Sequence, residues 1–179
     1  MSEYKIHSID SAPDGSKPLL EGSQKAFGMI PNLHGVMAEA PTVLEAYQKL
    51  HQLFTETSLS SDEQNVVWLT INVEHECHYC VPAHTGIAKS MHVGDEVINA
   101  LRNKTPLADE KLEALRTFTL AAVRKRGAVN ESDLDAFHDA GFTQQQVLEV
   151  LLGVSQKVLS NYVNHIAKTQ VDEAFKQFI

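Results

Sequence analysis

The chain carries only two cysteines, and both fall within four residues of each other, at 77 and 80. A secreted disulfide scaffold would spread its cysteines so as to close long loops. Two thiols three residues apart close a tiny ring and constrain little of the unfolded chain. In a reducing compartment such a pair is redox-active or metal-binding rather than structural. Positive charge is also scarce: 15 Lys and Arg stand against 23 Asp and Glu, for a net charge of -8. That excludes a nucleic-acid partner, because phosphate binding needs a basic surface. The one basic knot, Arg124-Lys125-Arg126 before Gly127, reads as the C-terminal turn of a helix. No apolar run approaches the ~20 residues needed to cross a bilayer. Met1-Ser2-Glu3-Tyr4-Lys5 opens with no apolar leader core behind it. These absences set the expectation of a cytoplasmic protein with no membrane partner. With 43% hydrophobic and 21% charged residues over 179 positions, a single domain with a buried core is feasible.

Alternating strand pairs, low-complexity tracts and evident linkers are missing too, which leaves helical periodicity as the organising signal. Residues 1–33 read as an irregular segment, with the turn Ala12-Pro13-Asp14-Gly15 and at most a short helix near Leu19–Lys25. Residues 34–179 read as one helical domain. Pro41 suits a first helical position, and Val43, Leu44, Tyr47, Leu50 and Phe54 follow at helical spacing. Ser60 with Glu63 forms a capping box ahead of Val66, Val67, Leu69, Thr70 and Val73. Pro82 cannot lie comfortably in mid-helix, so it belongs to the first turn of a new helix, with the cysteines at or just before its start. Further helices are expected at Asp95–Leu101, Ala108–Lys125, Glu131–Ala140 and Thr143–Lys168, with a short terminal one from Asp172 to Phe178. Thr143 is the expected cap of the longest. Its core face is read as Val147, Val150, Leu151, Val154, Val158 and Tyr162.

Functional groups concentrate in Glu74-His75-Glu76-Cys77-His78-Tyr79-Cys80-Val81-Pro82-Ala83-His84. On a helix Cys77, Cys80 and His84 share one face; if Pro82 opens the helix, Cys77 precedes it and the stripe loosens. Free N–H groups at a helix start stabilise a thiolate, and a neighbouring imidazole can take the thiol proton. The second thiol can resolve an oxidised first one into a disulfide. Three alternatives stand beside this redox reading. Cys77, Cys80 and His84 could ligate zinc, with His75 or His78 fourth, in a structural or interaction module; structural zinc usually draws its ligands from two separated knuckles. The cysteines could be inert and buried. The chain could be a non-redox protein of similar packing. Thioredoxin is disfavoured, because its paired cysteines belong to a βαβ setting. The histidines at 7, 34, 51, 92 and 138 are scattered and read as surface or hydrogen-bonded residues. His165 stands apart because it ends the string Asn161-Tyr162-Val163-Asn164-His165, and Trp68 reads as core.

The capped helix from Ser60, followed by Cys77-His78-Tyr79-Cys80-Val81-Pro82-Ala83-His84, resembles the carboxymuconolactone decarboxylase and alkylhydroperoxidase AhpD-like family. Phe142-Thr143, Gln146 to Val150 and Asn161 to His165 resemble its peroxidase-related branch. The resemblance spans roughly residues 25–175. It implies an all-α, multihelical AhpD-like bundle that assembles into trimers or hexamers. It also implies reduction of organic hydroperoxides, or disulfide exchange with a dithiol protein or a lipoyl-type donor, with no metal or other cofactor. By position Cys77 and Cys80 resemble the resolving and attacking thiols, in an order the resemblance leaves open, and His84 matches the proton-relay histidine. Asn65 stands where redox members carry a glutamate, twelve residues before the first cysteine, and an asparagine cannot take up a proton. Glu63, two residues away, is turned about 200° from Asn65 on a helix and is a poor substitute; Glu74 or Glu76 could serve. Tyr79 stands where some members have a histidine. The decarboxylase branch needs no cysteine pair, so two thiols point to the redox branch.

Overall fold

The computed structural model describes residues 4–179; the first three positions of the stretch inspected for a leader lie outside the described residues. The fold is all-helical, with no strand among the described residues. After a 3₁₀ turn at Asp14–Ser16 come α1 (Lys17–Phe27), α2 (Asn32–Met37), α3 (Pro41–Thr55), α4 (Ser61–Glu74), α5 (Cys80–Ser90), α6 (Asp95–Arg102), α7 (Glu110–Arg124), α8 (Glu131–Asp139) and α9 (Gln144–Ala167). A 3₁₀-helix at Glu173–Phe178 follows. Among the described residues no helix is long and apolar enough to cross a membrane.

Local chemistry explains the boundaries. Ser60 caps α4 by accepting from the Glu63 N–H, while the Glu63 carboxylate accepts from the Ser60 N–H at 2.7 Å. Thr143 and Gln146 make the same box at α9, and Asp109 caps α7. The helix expected near Leu19–Lys25 runs over Lys17–Phe27 and stops at Gly28, whose φ of 71° suits glycine. Six-residue α2 was not anticipated, because it is too short to show a period. The terminal segment winds as a 3₁₀-helix rather than an α-helix.

Helix α4 is the axis of the molecule. It packs against α5, α6, α7 and α9, and every residue from Glu63 to Val73 is buried. A helix covered on all sides needs no amphipathic stripe. One hydrophobic core joins α4 to α6, α7, α8 and α9 through Trp68, Leu69, Ile98, Leu115, Phe118 and Phe137. A second gathers Ala12, Leu20, Leu33, Met37, Leu44 and Tyr47 around Cys77, Tyr79, Cys80 and Ala83.

The expected core face of α9 needs correction. Val150 is buried, but Leu151 and Tyr162 are exposed, at 37% and 55%. The fully buried face is Gly153, Gln156, Lys157, Ser160, Asn161 and Asn164. Packing at Gly153 sets this rotation. A Cβ there would stand 2.6 Å from Phe54 and 2.9 Å from Val67, so α9 approaches α3 and α4 more closely than any side chain permits. Gly153→Ala is therefore expected to destabilise the fold by about 1–3 kcal/mol, as overpacked sites do. Urea denaturation measures it, and a gain in stability, as at an ordinary helical glycine, would contradict the packing argument.

Candidate active site

Helix α4 ends in a Schellman turn. Glu76 adopts φ 51°, its N–H donates to Val73 O, and the Cys77 N–H donates to Asn72 O. This turn swings Cys77 back over the end of α4. The Cys77 carbonyl then accepts from the Val81 N–H at 3.0 Å, and its Sγ accepts from the Cys80 N–H at 3.2 Å. A sulfur thus occupies the place of a capping oxygen, while Cys80 opens α5 and Pro82 sits in its first turn. Cys77 precedes the helix, the looser of the two arrangements expected. Both cysteines are free and buried, at 0% and 2% exposure.

Cys80, His84 and Tyr79 line a cavity of about 700 Å³ whose wall is mostly apolar. Phe27, Met29, Leu33, Trp68, Ile87 and Phe175 supply much of that wall. Burial pushes the Cys80 thiol up. A hydrogen bond from Cys77, the charge of Lys157 and the amides of Asn164 and Asn161 outweigh it, and the thiol falls to about 6. The Asn164 Nδ2 donates to the Cys80 sulfur at 3.2 Å. Cys77 moves the opposite way, because its proton is held by the Cys80 sulfur and its surroundings are dry. The acidic thiol is therefore the one facing the cavity.

The imidazole of His84 packs at 5.1 Å from the Trp68 ring, and its Nε2 lies 2.7 Å from the Lys157 ammonium. Burial first, then the charge of Lys157, keeps this histidine neutral well below its ordinary range. Two further histidines border the cavity. His34 shares a hydrogen bond with the Ser23 hydroxyl, and His51 stacks on Trp68. Burial is the main cause that lowers both to about 4, so both are neutral near pH 7.

Not every residue singled out by sequence gathers here. Asn65 is buried behind the wall, where its Nδ2 donates to Ser61 O and to the Met91 sulfur. Glu63 is committed to the α4 cap and to Lys111, at 2.8 Å. Glu74 holds Arg124 through two bonds, at 2.7 and 2.8 Å. Glu76 faces Lys104 at 3.6 Å. His165 is exposed and binds the His75 carbonyl at 2.8 Å. None of these borders the cavity. Tyr79 does, but its hydroxyl is engaged: it donates to Asp172 at 2.5 Å and accepts from the Leu33 N–H. The zinc donor set is not assembled. No group of three His, Cys, Asp or Glu side chains is placed to share a metal ion among the described residues, and Lys157 already engages the Nε2 that His84 would offer. Sequence reasoning missed His34, His51 and above all Lys157. The signal was present in α9, where Gly, Gln-Lys, Ser-Asn and Asn recur every three to four residues.

No protein-family model matches the chain, and no curated protein matches it. Solved structures do. A peroxidase-related protein from Ralstonia eutropha with an alkylhydroperoxidase AhpD core superposes with a TM-score of 0.85 at 21% identity, over 97% of this chain and 94% of that one. A peroxidase-related protein from a Silicibacter species gives 0.81 at 19% identity, over 97% and 95%. A cysteine-to-alanine variant of the debrominase Bmp8, in complex with 2,3,4-tribromopyrrole, gives 0.83 at 15% identity, over 99% and 96%. At these identities the likeness concerns the fold, and the all-helical bundle of this chain is the alkylhydroperoxidase AhpD fold.

Proposed function

We propose that the protein is a thiol-dependent oxidoreductase that reduces small, apolar hydroperoxides through Cys80 and Cys77. The observation that carries this reading is the acidic Cys80 thiol at the wall of an apolar cavity, with the sulfur of a second free cysteine held on the Cys80 N–H. The thiolate is the nucleophile. It attacks the distal oxygen of the hydroperoxide, the O–O bond breaks, and the organic oxygen leaves as an alcohol after taking a proton. Cys80 becomes a sulfenic acid. The Cys77 thiol attacks that sulfur, a water molecule leaves, and a disulfide forms. Two electrons pass from the thiol pair to the peroxide. A dithiol protein or lipoyl-type donor then restores both thiols by exchange. The test is direct. Reduced protein is mixed with cumene hydroperoxide, and its intact mass is followed together with peroxide loss. A mass lower by two hydrogens per chain, with one peroxide consumed, is the expected result. An unchanged mass would end the reading; release of bromide from 2,3,4-tribromopyrrole would then point to reductive dehalogenation at the same thiols.

Self-association belongs to the same proposal. Leu148, Tyr162 and Ile166 are exposed at 68%, 55% and 66%, and with Leu151 they form an apolar stripe along the outer face of α9. Such a stripe on a monomer is unusual unless another surface covers it. Ile166→Glu with Tyr162→Glu is expected to reduce an oligomer to single chains in sedimentation, with helical circular dichroism unchanged. A wild-type chain that sediments as a monomer would refute this.

A further inference from the structure

Lys157 is buried completely, with 0% exposure. Lysine is almost never fully buried unless it is paired. None of the ion pairs among the described residues includes it. Its hydrogen-bond partner is the His84 Nε2 at 2.7 Å, a neutral atom. Burial pulls the Lys157 ammonium down from its ordinary range, and the charge that partly answers it is the Cys80 thiolate. Oxidation to the disulfide destroys that charge, so the ammonium would be left alone in a dry site, which is costly. The histidine supplies the other half of the argument. An Nε2 that accepts from Lys157 must have its proton on Nδ1. The Nδ1 of His84 is buried and has no partner, while the residue borders the cavity. A donor without an acceptor in such a place calls for a ligand atom.

We infer that Lys157 is the proton carrier of this site: it sends its proton through His84 to the oxygen leaving Cys80's substrate, remains a neutral amine beside the disulfide, and is recharged when the thiols are restored. This rests on the reading of Cys77 and Cys80 as a redox pair. The step balances. The Cys80 thiolate displaces the organic oxygen, His84 Nδ1–H protonates it, and Lys157 passes a proton to His84 Nε2. Cys77 then closes the disulfide and releases water, using its own proton. A dithiol donor returns two electrons and two protons, one to Cys77 and one to Lys157. Oxidation thus draws no proton from solvent.

The other titratable side chains of the cavity wall hold their states: Tyr79 is kept protonated by burial and by the charge of Asp172. From α3, Tyr47 is held protonated by burial and by the Cys80 charge, and His51 is neutral. From α2, His34 is neutral. From α9 itself, Gln156, Ser160, Asn161 and Asn164 carry no titratable group.

Two measurements test this. In the first, Cys80 alkylation by iodoacetamide is mapped by mass spectrometry against pH. The wild type should reach half its limiting rate near pH 6. In Lys157→Met the midpoint should rise by at least about one unit, roughly fivefold less thiolate at pH 6. In Lys157→Arg, which keeps the charge but cannot release it, the midpoint should stay low while disulfide formation slows. An unmoved midpoint in Lys157→Met would overturn the inference. The second uses the wild type alone, and so survives any folding failure of the variants. Protons consumed during oxidation are counted with an indicator dye in weak buffer near pH 7. No uptake is expected; one proton per site would mean Lys157 keeps its charge. Should cumene hydroperoxide leave the thiols reduced, the peroxidase reading fails by itself. Diamide, which takes up two electrons and two protons, then closes the disulfide and the proton count still decides.

Discussion

Cys80→Ser should lower hydroperoxide turnover by on the order of a thousandfold or more, the scale on which removal of a nucleophile acts. Cys77→Ser should behave differently. Its Cys80 still faces the cavity, so one equivalent of peroxide should be consumed rapidly and the reaction should then stop. The product should be a sulfenic acid that dimedone traps on residue 80. The asymmetry follows from position: Cys80 borders the cavity and its sulfur receives the Asn164 amide, whereas the Cys77 sulfur is turned to the Cys80 N–H at the start of α5 and the residue is fully covered. Full turnover in both single variants would sink the dithiol cycle. Trapping on residue 77 rather than 80 would reverse the roles.

The second large effect is acid sensitivity. His34 and His51 are held near 4 against an ordinary value of 6.5, chiefly by burial, and His84 is displaced in the same direction. Between these limits the unfolded chain binds more protons than the folded one, so stability rises with pH across the window. Above 6.5 the three groups cost nothing; for His34 and His51 the penalty is complete below 4. For His34 alone the loss is about 3 kcal/mol, a large share of the 5–15 kcal/mol that holds a typical domain. Urea midpoints measured at pH 7 and at pH 4.5 should therefore fall steeply, and His34→Gln should flatten the fall. Equal midpoints at the two values would mean that these rings are solvated.

Much of this architecture was readable from residue types. Capping boxes at Ser60 and Thr143 mark two helix starts because each satisfies otherwise orphaned N–H groups locally. Pro82 placed the cysteines at the mouth of α5 for an equally local reason, its missing N–H. What periodicity could not supply was the rotation of α9. Counting apolar residues selects Leu151, Val158 and Tyr162, yet the helix buries its glycine and amide edge instead. There, close approach at Gly153 and the hydrogen bonds of Asn161, which donates to Asn72 and accepts from His75, outweigh apolar area. Lys157 was hidden by the same reversal, since a lysine in a helix is normally solvated. Asn65 poses the complementary case. Sequence spacing sets it at the relay position of the resembled family, but here its amide donates to Met91, and Lys157 from another helix meets the imidazole. His34 and His51 come from separate helices, and only tertiary packing brings them to one wall.

The burial of both sulfurs also governs what can recharge them. Exchange requires the incoming thiol to reach a sulfur in line with the S–S bond, and here Cys77 is covered and Cys80 borders only the cavity. On the proposed cycle a dithiol protein would have to reach this pair with a projecting segment rather than a flat face. A thiol borne on a slender, mostly apolar arm can enter the same passage as the oxidant. The reductant of that cycle would be selected by girth before affinity, and substrate and donor would share the cavity at Cys80.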